Sequence, residues 1–391
     1  MSTTLPHIER AAPTVDFTQV PSPCFVMEMG RLRQNLELIQ HVREAAGVRI
    51  LLALKGFAMF RTFPLVRQYL SGTTASGLWE ARLGHEAFGG EGHCFSTAYY
   101  DDEFDEILRY CSHLSFNSVA QWERFRERVR AYHRPPSCAI RINPEYSEVT
   151  TDLYNPAVPG SRLGQPAGNL NDRLPEGIEG LHMHTLCESD SYALERTFRV
   201  VEDRFAPLLK QAKWLNLGGG HLITRDDYDV PHLIGLLRDI REKWDVEVIL
   251  EPGSAVAWQT GYLVATVQDQ FDSRGVRAVV MDASVSAHMP DCIEMPYKPR
   301  VIGARDAGPD DVAYRLGGST CLAGDFVGDY AFDEPLRIGD RLVFDDMMHY
   351  TMVKTTFFNG VRHPDLGLWH EDGTFERVRR FGYEDYRDKL S

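Results

Sequence analysis

The sequence predicts a (β/α)8 barrel joined to a second, β-rich domain. Three observations lead there. Through the first two thirds of the chain, short apolar runs alternate with amphipathic helical stretches; the apolar runs number eight; and after Trp258 helical periodicity fades while strand-like runs continue. Repeated strand-then-helix units require a parallel sheet, and eight of them are the number that closes into a barrel.

Taken in order, the barrel strands are expected at Ile50–Lys55, Thr73–Ser76, His93–Thr97, His113–Asn117, Cys138–Asn143, Ile178–Thr185, Trp214–Gly218 and Val246–Glu251. Helical patterns fall at Leu32–Ala45, Glu80–Phe88, Asp102–Tyr110, Ala120–Tyr132, Tyr192–Ala212 and Pro231–Lys243. The barrel domain is therefore placed at residues 30–258, near the ~250 residues usual for this fold. Residues 1–29 and 259–391 are left to the β-rich domain, with strands expected at Tyr262–Phe271, Arg277–Ala283, Val312–Leu316, Arg341–Asp345 and Tyr350–Phe358. Cys24–Met27 is also strand-like and is expected to pair with that domain. Between Pro144 and Pro175 the chain is rich in Pro, Gly, Asn and Asp and reads as a long loop. Loops beyond ~12–15 residues without structure of their own usually serve function, and this one follows a barrel strand.

Composition narrows the class. With 43% hydrophobic and 25% charged residues the chain reads as an ordinary soluble globular protein. A formal charge of −14 argues against a nucleic-acid partner and suits a cationic substrate. No apolar run is long enough for a membrane span, and the N-terminus carries no basic segment followed by an apolar core, so the cytoplasm is the expected location. The seven cysteines form no C-x-x-C pair, which fits neither a disulfide framework nor a zinc ribbon.

Barrel active sites lie at the C-terminal ends of the strands, so reactive side chains there matter most. Lys55 closes the apolar run Leu51-Leu52-Ala53-Leu54. It either snorkels to solvent or serves as a Schiff-base lysine, whose amine must be desolvated. His182 and His184 end the sixth strand and face one side of it. They read as core histidines, as an H-x-H metal site, or as an aromatic platform for a cofactor. Gly218-Gly219-Gly220 follows the seventh strand, where barrels often bind phosphate through backbone N–H groups; a bare triplet also marks an ordinary loop. Glu251 ends the eighth strand and needs a partner, either a basic side chain or a protonated pyridine nitrogen. Together these supply a phosphate cradle, an amine, a ring to stack and an acid. Cys321, in Gly317-Gly318-Ser319-Thr320-Cys321-Leu322-Ala323-Gly324-Asp325, is either a turn cysteine or an exposed thiol for proton transfer.

The segments ILLALKGFAMF, TTASGLWEARLG, NPEYSEVTTDLYNP, GSRLG, GLHMHTLCE, LNLGGGHLITRDDYDV, LEPGSAVAWQTGYLVATV, DASVSAHMPDCIEMPYKP, RLGGSTCLAGD and YTMVKTTFFNG carry a resemblance to the fold-type III pyridoxal-phosphate enzymes. That group includes ornithine, diaminopimelate and arginine decarboxylases and alanine racemase. Within it, the chain is most similar to the carboxynorspermidine/carboxyspermidine decarboxylase family, over roughly Pro23 to Gly360.

The resemblance implies a pyridoxal 5'-phosphate cofactor held by Lys55, with His184 on its pyridine face and Gly218, Gly219 and Gly220 around its phosphate. It further implies Tyr350 at the phosphate, Glu251 at the pyridine nitrogen and Arg162 near the phenolic oxygen. Cys321 would come from the second subunit of a head-to-tail homodimer and return the proton after carbon dioxide leaves. Asp291, Glu294 and Asp325 are the acids expected to meet a cationic polyamine chain, with Glu188 less favoured; each also reads as a solvated surface acid. Two departures stand out: Ser254 follows E-P-G where relatives commonly have arginine, and Leu322 follows the cysteine where ornithine decarboxylase has aspartate.

Diaminopimelate decarboxylase is the nearest chemical rival. A racemase is disfavoured by Glu251, since alanine racemase sets arginine against the ring nitrogen. A metal-dependent barrel hydrolase would leave the glycine triplet without a role. A silent homologue that only binds a protein partner would usually have lost Lys55 or Cys321.

Overall fold

The structure, a computed structural model, describes residues 12–391. The first eleven residues of the expected β-rich domain lie outside the described residues. Arg33–Val256 forms one compact unit, and Ala257–Ser391 forms a second together with the described residues up to Leu32.

In the chain, β1 (Cys24–Glu28) comes first. The barrel strands follow as β2 (Arg49–Ala53), β3 (Gly72–Ala75), β4 (Glu91–Ser96), β5 (His113–Phe116), β6 (Ser137–Arg141), β7 (Ile178–His182), β8 (Trp214–Asn216) and β9 (Glu247–Leu250). They pair in sequence order, and β9 returns to β2, so eight parallel strands close the ring. The predicted fold class is borne out. β2 (RILLA) and β9 (EVIL) are nearly continuous apolar runs, as befits parallel strands covered on both faces, whereas the strands between them carry small, polar or histidine residues as well. Leu51, Ala139, Trp214 and Ile249, from β2, β6, β8 and β9, pack together in the interior.

Side-chain caps start three of the longer barrel helices. Ser118 accepts from the Gln121 N–H at 3.1 Å and opens Val119–Ala131. Asp190 accepts from Ala193 at 2.7 Å and opens Ser191–Leu209, while Asp229 accepts from His232 at 2.9 Å and opens Val230–Trp244. Side-chain oxygens of this kind satisfy amides that the first helical turn leaves bare. The helix expected at Glu80–Phe88 is a short α-helix, Leu78–Leu83, continued as a π-helical segment, Gly84–Phe88. A short helix, Phe63–Val66, between β2 and β3 was not foreseen. The stretch 144–175 has only 3-10 turns, at Asp152–Tyr154 and Ala167–Asn169.

The second unit is a nine-stranded mixed sheet. Its strands are β1, β10 (Gly261–Ser273), β11 (Val276–Met281), β12 (Ala304–Asp306), β13 (Tyr314–Gly317), β14 (Phe326–Phe332), β15 (Arg341–Asp345), β16 (Asp365–Trp369) and β17 (Phe375–Arg379). β1 runs antiparallel to β10 and parallel to β16, so its expected pairing with this unit holds. The long β10 pairs with β1 and β15 in its first half and with β11 in its second, with a bulge at Val267/Asp269 between. Val20, Cys24, Val26, Tyr262, Val264 and Trp369 are among the buried residues of its core.

One expected strand is absent: Tyr350–Phe358 forms turns, with 3-10 segments at Met352–Lys354 and Phe358–Gly360. Its β-branched and aromatic composition reads as strand, but Tyr350 at φ 45° and Asn359 at φ 59° take left-handed conformations that a strand cannot contain. β14 went unread because Gly328-Asp329 interrupts it like a turn; Gly328 sits at φ 133°.

Gly180 on β7 makes room for the Trp214 ring: a β-carbon there would come within 2.3 Å of it. Gly180→Ala is expected to destabilise the protein by ~1–3 kcal/mol, the usual cost of overpacking a core. A lowered urea midpoint measures it; an unchanged midpoint would show that Trp214 moves aside freely.

Candidate active site

The C-terminal rim of the barrel is tied together by backbone hydrogen bonds. Ala53 N–H donates to Pro252 O at 3.0 Å, Leu54 N–H to Thr74 O at 3.1 Å, and Glu251 N–H to Gly218 O at 2.8 Å. After β2 and β9, Gly56 and Gly253 pack backbone to backbone, so that a β-carbon on Gly56 would lie 2.9 Å from Gly253 Cα. The turns that carry Lys55 and Glu251 are thereby held beside each other.

Within this rim lies a cavity of about 620 Å3, lined by Lys55, Arg141, Arg162, His182, His184 and Glu251, with Gly219 and the 152–163 segment. That volume suits a small-molecule or cofactor site. The long loop thus has a place at the site. Asn143 Nδ2 donates to Pro156 O at 3.0 Å and to Leu163 O at 3.1 Å. Asn117 donates to Arg162 O at 2.7 Å and accepts from Gly164 N–H at 2.8 Å, which fixes the backbone that presents Arg162.

His184 Nδ1 accepts from the Gly219 N–H at 3.2 Å, and its Nε2 lies 3.1 Å from Lys55 Nζ. Burial, with Lys55 and Arg141 adding to it, holds the His184 pKa well below its usual value, so the ring is neutral. A neutral imidazole whose Nδ1 accepts must carry its proton on Nε2. The Nε2–H then donates to Lys55, whose amine accepts and is therefore unprotonated. Burial first, then the charge of Arg141, lowers the Lys55 pKa in the same sense, against Glu251 and Glu80.

Glu251 Oε1 accepts from Asn216 Nδ2 at 2.6 Å, and Oε2 lies 3.8 Å from His182 Nε2. Among the described residues neither ring nitrogen of His182 has a hydrogen-bond partner, and burial keeps that ring neutral. Arg141 Nη2 donates to His184 O at 2.9 Å, and its guanidinium stands 4.4 Å over the Phe95 ring. Burial lowers its pKa to about 10, which still leaves it charged at neutral pH.

The glycine triplet is required by packing. Added β-carbons would meet Met183 O at 2.6 Å from Gly218, Glu251 O at 2.2 Å from Gly219 and Leu186 O at 1.9 Å from Gly220; Gly218 and Gly220 also take positive φ. The Gly218 N–H donates to Asn216 Oδ1 at 2.8 Å and the Gly219 N–H to His184. Ser254 opens the short helix Ser254–Ala257.

Sequence reasoning missed Arg141, Glu80 and Asn216. The signal was present for Arg141, a charge closing the apolar strand Cys138–Arg141 as Lys55 and Glu251 close theirs. Glu80, whose carboxylate accepts from the Ser76 N–H at 2.6 Å, sits in a helical segment and gave no such signal. At the opposite strand ends, Glu91, His93 and His113 lie close enough to share a metal ion, but Arg49 already binds Glu91 at 2.7 Å.

The remaining expected residues lie in the second unit. Cys321 is exposed, and its N–H donates to Asn359 Oδ1 at 2.9 Å. Asp325 is buried and takes five donors: Ser284 Oγ, the Val285 and Ser286 amides, and the Thr320 amide and hydroxyl. Its carboxylate is consumed by the fold. Asp291 binds Lys354 Nζ at 2.7 Å, and Glu294 pairs with the same amine. Tyr350 is half-buried, its ring 6.0 Å from Lys354 Nζ. Five of the other cysteines are buried, as small apolar residues would be, and Cys187 is half-buried.

Known proteins resemble this chain in sequence and fold. The profile described as "Pyridoxal-dependent decarboxylase, C-terminal sheet domain" matches residues 24–348. The carboxyaminopropylagmatine decarboxylase of Synechocystis sp. is 52% identical over 374 residues, covering 95% of this chain and 96% of that protein. The carboxynorspermidine/carboxyspermidine decarboxylase of Campylobacter jejuni is 42% identical over 381 residues, 95% and 98% of the two chains. The crystal structure of carboxynorspermidine decarboxylase from Campylobacter jejuni complexed with norspermidine superposes with a TM-score of 0.87 at 41% identity, over 95% of this chain and all of that one. Diaminopimelate decarboxylase from Helicobacter pylori, at 17% identity and a TM-score of 0.80, shares the fold.

This chain belongs to the pyridoxal-dependent decarboxylases. Within them it falls with the enzymes of the carboxynorspermidine decarboxylase type, as the sequence resemblance implied. Among the described residues no helix is long and apolar enough to cross a membrane.

Lys55 is expected to react with an amine-selective acylating reagent at a pH below that of ordinary lysines. Its deprotonated form is favoured while Arg141 is charged, so Arg141→Met should move the reactivity midpoint to higher pH. Modification measured by mass spectrometry of the Lys55 peptide checks both; an unshifted midpoint in the variant would remove Arg141 as a cause.

Proposed function

We propose that this chain removes the α-carboxylate of carboxynorspermidine or carboxyspermidine, giving norspermidine or spermidine, with pyridoxal 5'-phosphate as cofactor. The observation that carries the reading is the 3.1 Å contact of Lys55 Nζ with His184 Nε2 in a cavity that also holds Glu251.

The residues fit the cofactor chemically. Lys55 is an amine whose pKa desolvation and Arg141 lower toward the nucleophilic form, and His184 is a neutral ring beside it. Glu251 Oε2 has only a distant contact and is ready to accept from a ring nitrogen. Within the glycine triplet Gly218 and Gly219 already give their amides to Asn216 and His184, so the phosphate would be met by the Gly220 amide and the phenolic oxygen by Arg162. When bound, the cofactor supplies the electron sink for the pair left by the departing carboxylate. Glu251 would keep the ring nitrogen protonated, Lys55 would yield its place to the substrate amine and later reclaim it, and the Cys321 thiol would return a proton to the substrate carbon. Glu251→Gln should lower kcat by ~10²–10³-fold, the usual scale for losing one electrostatic contact to developing charge.

The polyamine chain is cationic, and Asp291 and Glu294 are the acids we assign to it. Both pair with Lys354, so a substrate ammonium would enter in exchange for that amine. Asp325, with its oxygens filled, acts on the cysteine loop. The 52% identity to a carboxyaminopropylagmatine decarboxylase supports a second substrate, one that ends in a guanidinium. Carbon dioxide release from carboxynorspermidine, carboxyspermidine, carboxyaminopropylagmatine and diaminopimelate tests the assignment. The first two should give the highest kcat/KM; preference for the third would transfer the assignment, and preference for diaminopimelate would overturn both.

The partner we assign is a second copy of the chain. Cys321 lies among exposed apolar side chains, Leu322 at 47%, Phe326 at 43% and Phe358 at 45% exposure, a surface suited to burial in a symmetric dimer. If Cys321 of one copy completes the site around Lys55 of the other, mixing Lys55→Ala with Cys321→Ala chains restores about a quarter of wild-type amine formation, because half the dimers are mixed and each holds one intact site. No recovery after subunit exchange would place both residues in a site of one chain.

A further inference from the structure

The loop that carries Cys321 is closed into a circuit of hydrogen bonds within its own unit. Asp325 receives Thr320 on one side and the first amides of the helix Val285–His288 on the other. That helix accepts the Thr356 N–H at Ala287 O, 2.8 Å away. Three residues further on, Asn359 Oδ1 accepts the Cys321 N–H at 2.9 Å, and the Asp325 N–H returns to Leu322 O at 3.0 Å. The cysteine is thus exposed in side chain yet fixed in backbone, and the contact that fixes it comes from a residue 38 positions away.

Asn359 is suited to this on two counts. It sits at φ 59°, ψ 5°, in the left-handed region that asparagine tolerates better than most residues. Its short amide then carries an acceptor out of the turn. A turn alone would be served equally well by glycine, which lacks the acceptor.

We propose that Asn359 is a positioning residue for proton return: its Oδ1 holds the Cys321 amide so that the thiol proton is delivered to the substrate carbon. The inference rests on Cys321 as proton donor. Once the carboxylate has left as carbon dioxide, its electron pair can be protonated at two places. A proton from Cys321 Sγ to the substrate carbon gives the amine and leaves a thiolate for solvent to reprotonate. A proton placed instead on the cofactor carbon that began as its aldehyde leads, on hydrolysis, to an aldehyde product and the aminated cofactor. That second outcome balances as amino acid plus pyridoxal phosphate giving carbon dioxide, aldehyde and pyridoxamine phosphate.

The test compares Asn359→Gly, Asn359→Asp and Cys321→Ala in the holoenzyme, reading amine and aldehyde per carbon dioxide, aminated cofactor, and hydrogen exchange of the Cys321 amide. Asn359→Gly keeps the left-handed turn and loses the acceptor. Its aldehyde fraction should rise about 2- to 10-fold, the factor matching one neutral hydrogen bond, and the Cys321 amide should exchange faster. Asn359→Asp keeps the acceptor and should restore both readouts toward wild type. Equal partition in Asn359→Gly and wild type, or equal diversion in the Gly and Asp variants, would overturn the proposal. If Cys321→Ala also leaves the partition unchanged, the thiol is not the donor and the underlying assignment falls instead; if it diverts while Asn359→Gly does not, only the positioning role falls.

Discussion

The hydrogen bond from the Gly219 amide to His184 Nδ1 sets the proton inventory of the whole site. It forces the histidine proton onto Nε2, and the amine 3.1 Å away must then accept. Burial and Arg141 push Lys55 the same way, so geometry and electrostatics agree. The bond in turn depends on the glycine triplet, because any side chain at Gly218, Gly219 or Gly220 would strike the carbonyls of the neighbouring strand ends. The triplet serves close packing first, and through that packing it reaches the chemistry.

Charge is distributed around this centre by environment. Arg141 stays cationic with its guanidinium over an aromatic ring, while Glu251 is held by Asn216 near the neutral His182. A charged lysine added to Arg141 would place two like charges in one enclosed space, which desolvation penalises heavily. In the second unit, Asp325 spends its charge on fold geometry, while Asp291 and Glu294 are paired with Lys354. Acids of the second unit that look available for a cationic substrate are in part structural.

Strand-end chemistry was legible because apolar runs ending in a reactive group are costly unless that group has work to do. Lys55, His184, Gly219 and Glu251 were read this way, and the structure brings all four to one cavity. Arg141 obeyed the same rule and was overlooked. Asn216 and Asn359 act through contacts between distant segments, which no local pattern announces, and Glu80, bonded to the nearby Ser76 amide, looked like an ordinary helix acid. The same limit applies to folds: Tyr350–Phe358 has strand composition, but left-handed Tyr350 opens it and left-handed Asn359 directly follows it. Asp325 was recognised as belonging to the cysteine loop, yet its burial and its five donors became visible only in three dimensions.

The account stands most directly on Lys55 as the cofactor's anchor. Incubating the protein with pyridoxal 5'-phosphate, reducing with borohydride and mapping the modified peptide tests it. A pyridoxyl group on Lys55, formed at neutral pH and absent from Lys55→Ala, is the result predicted. Modification of a different lysine, or none at all, would contradict it.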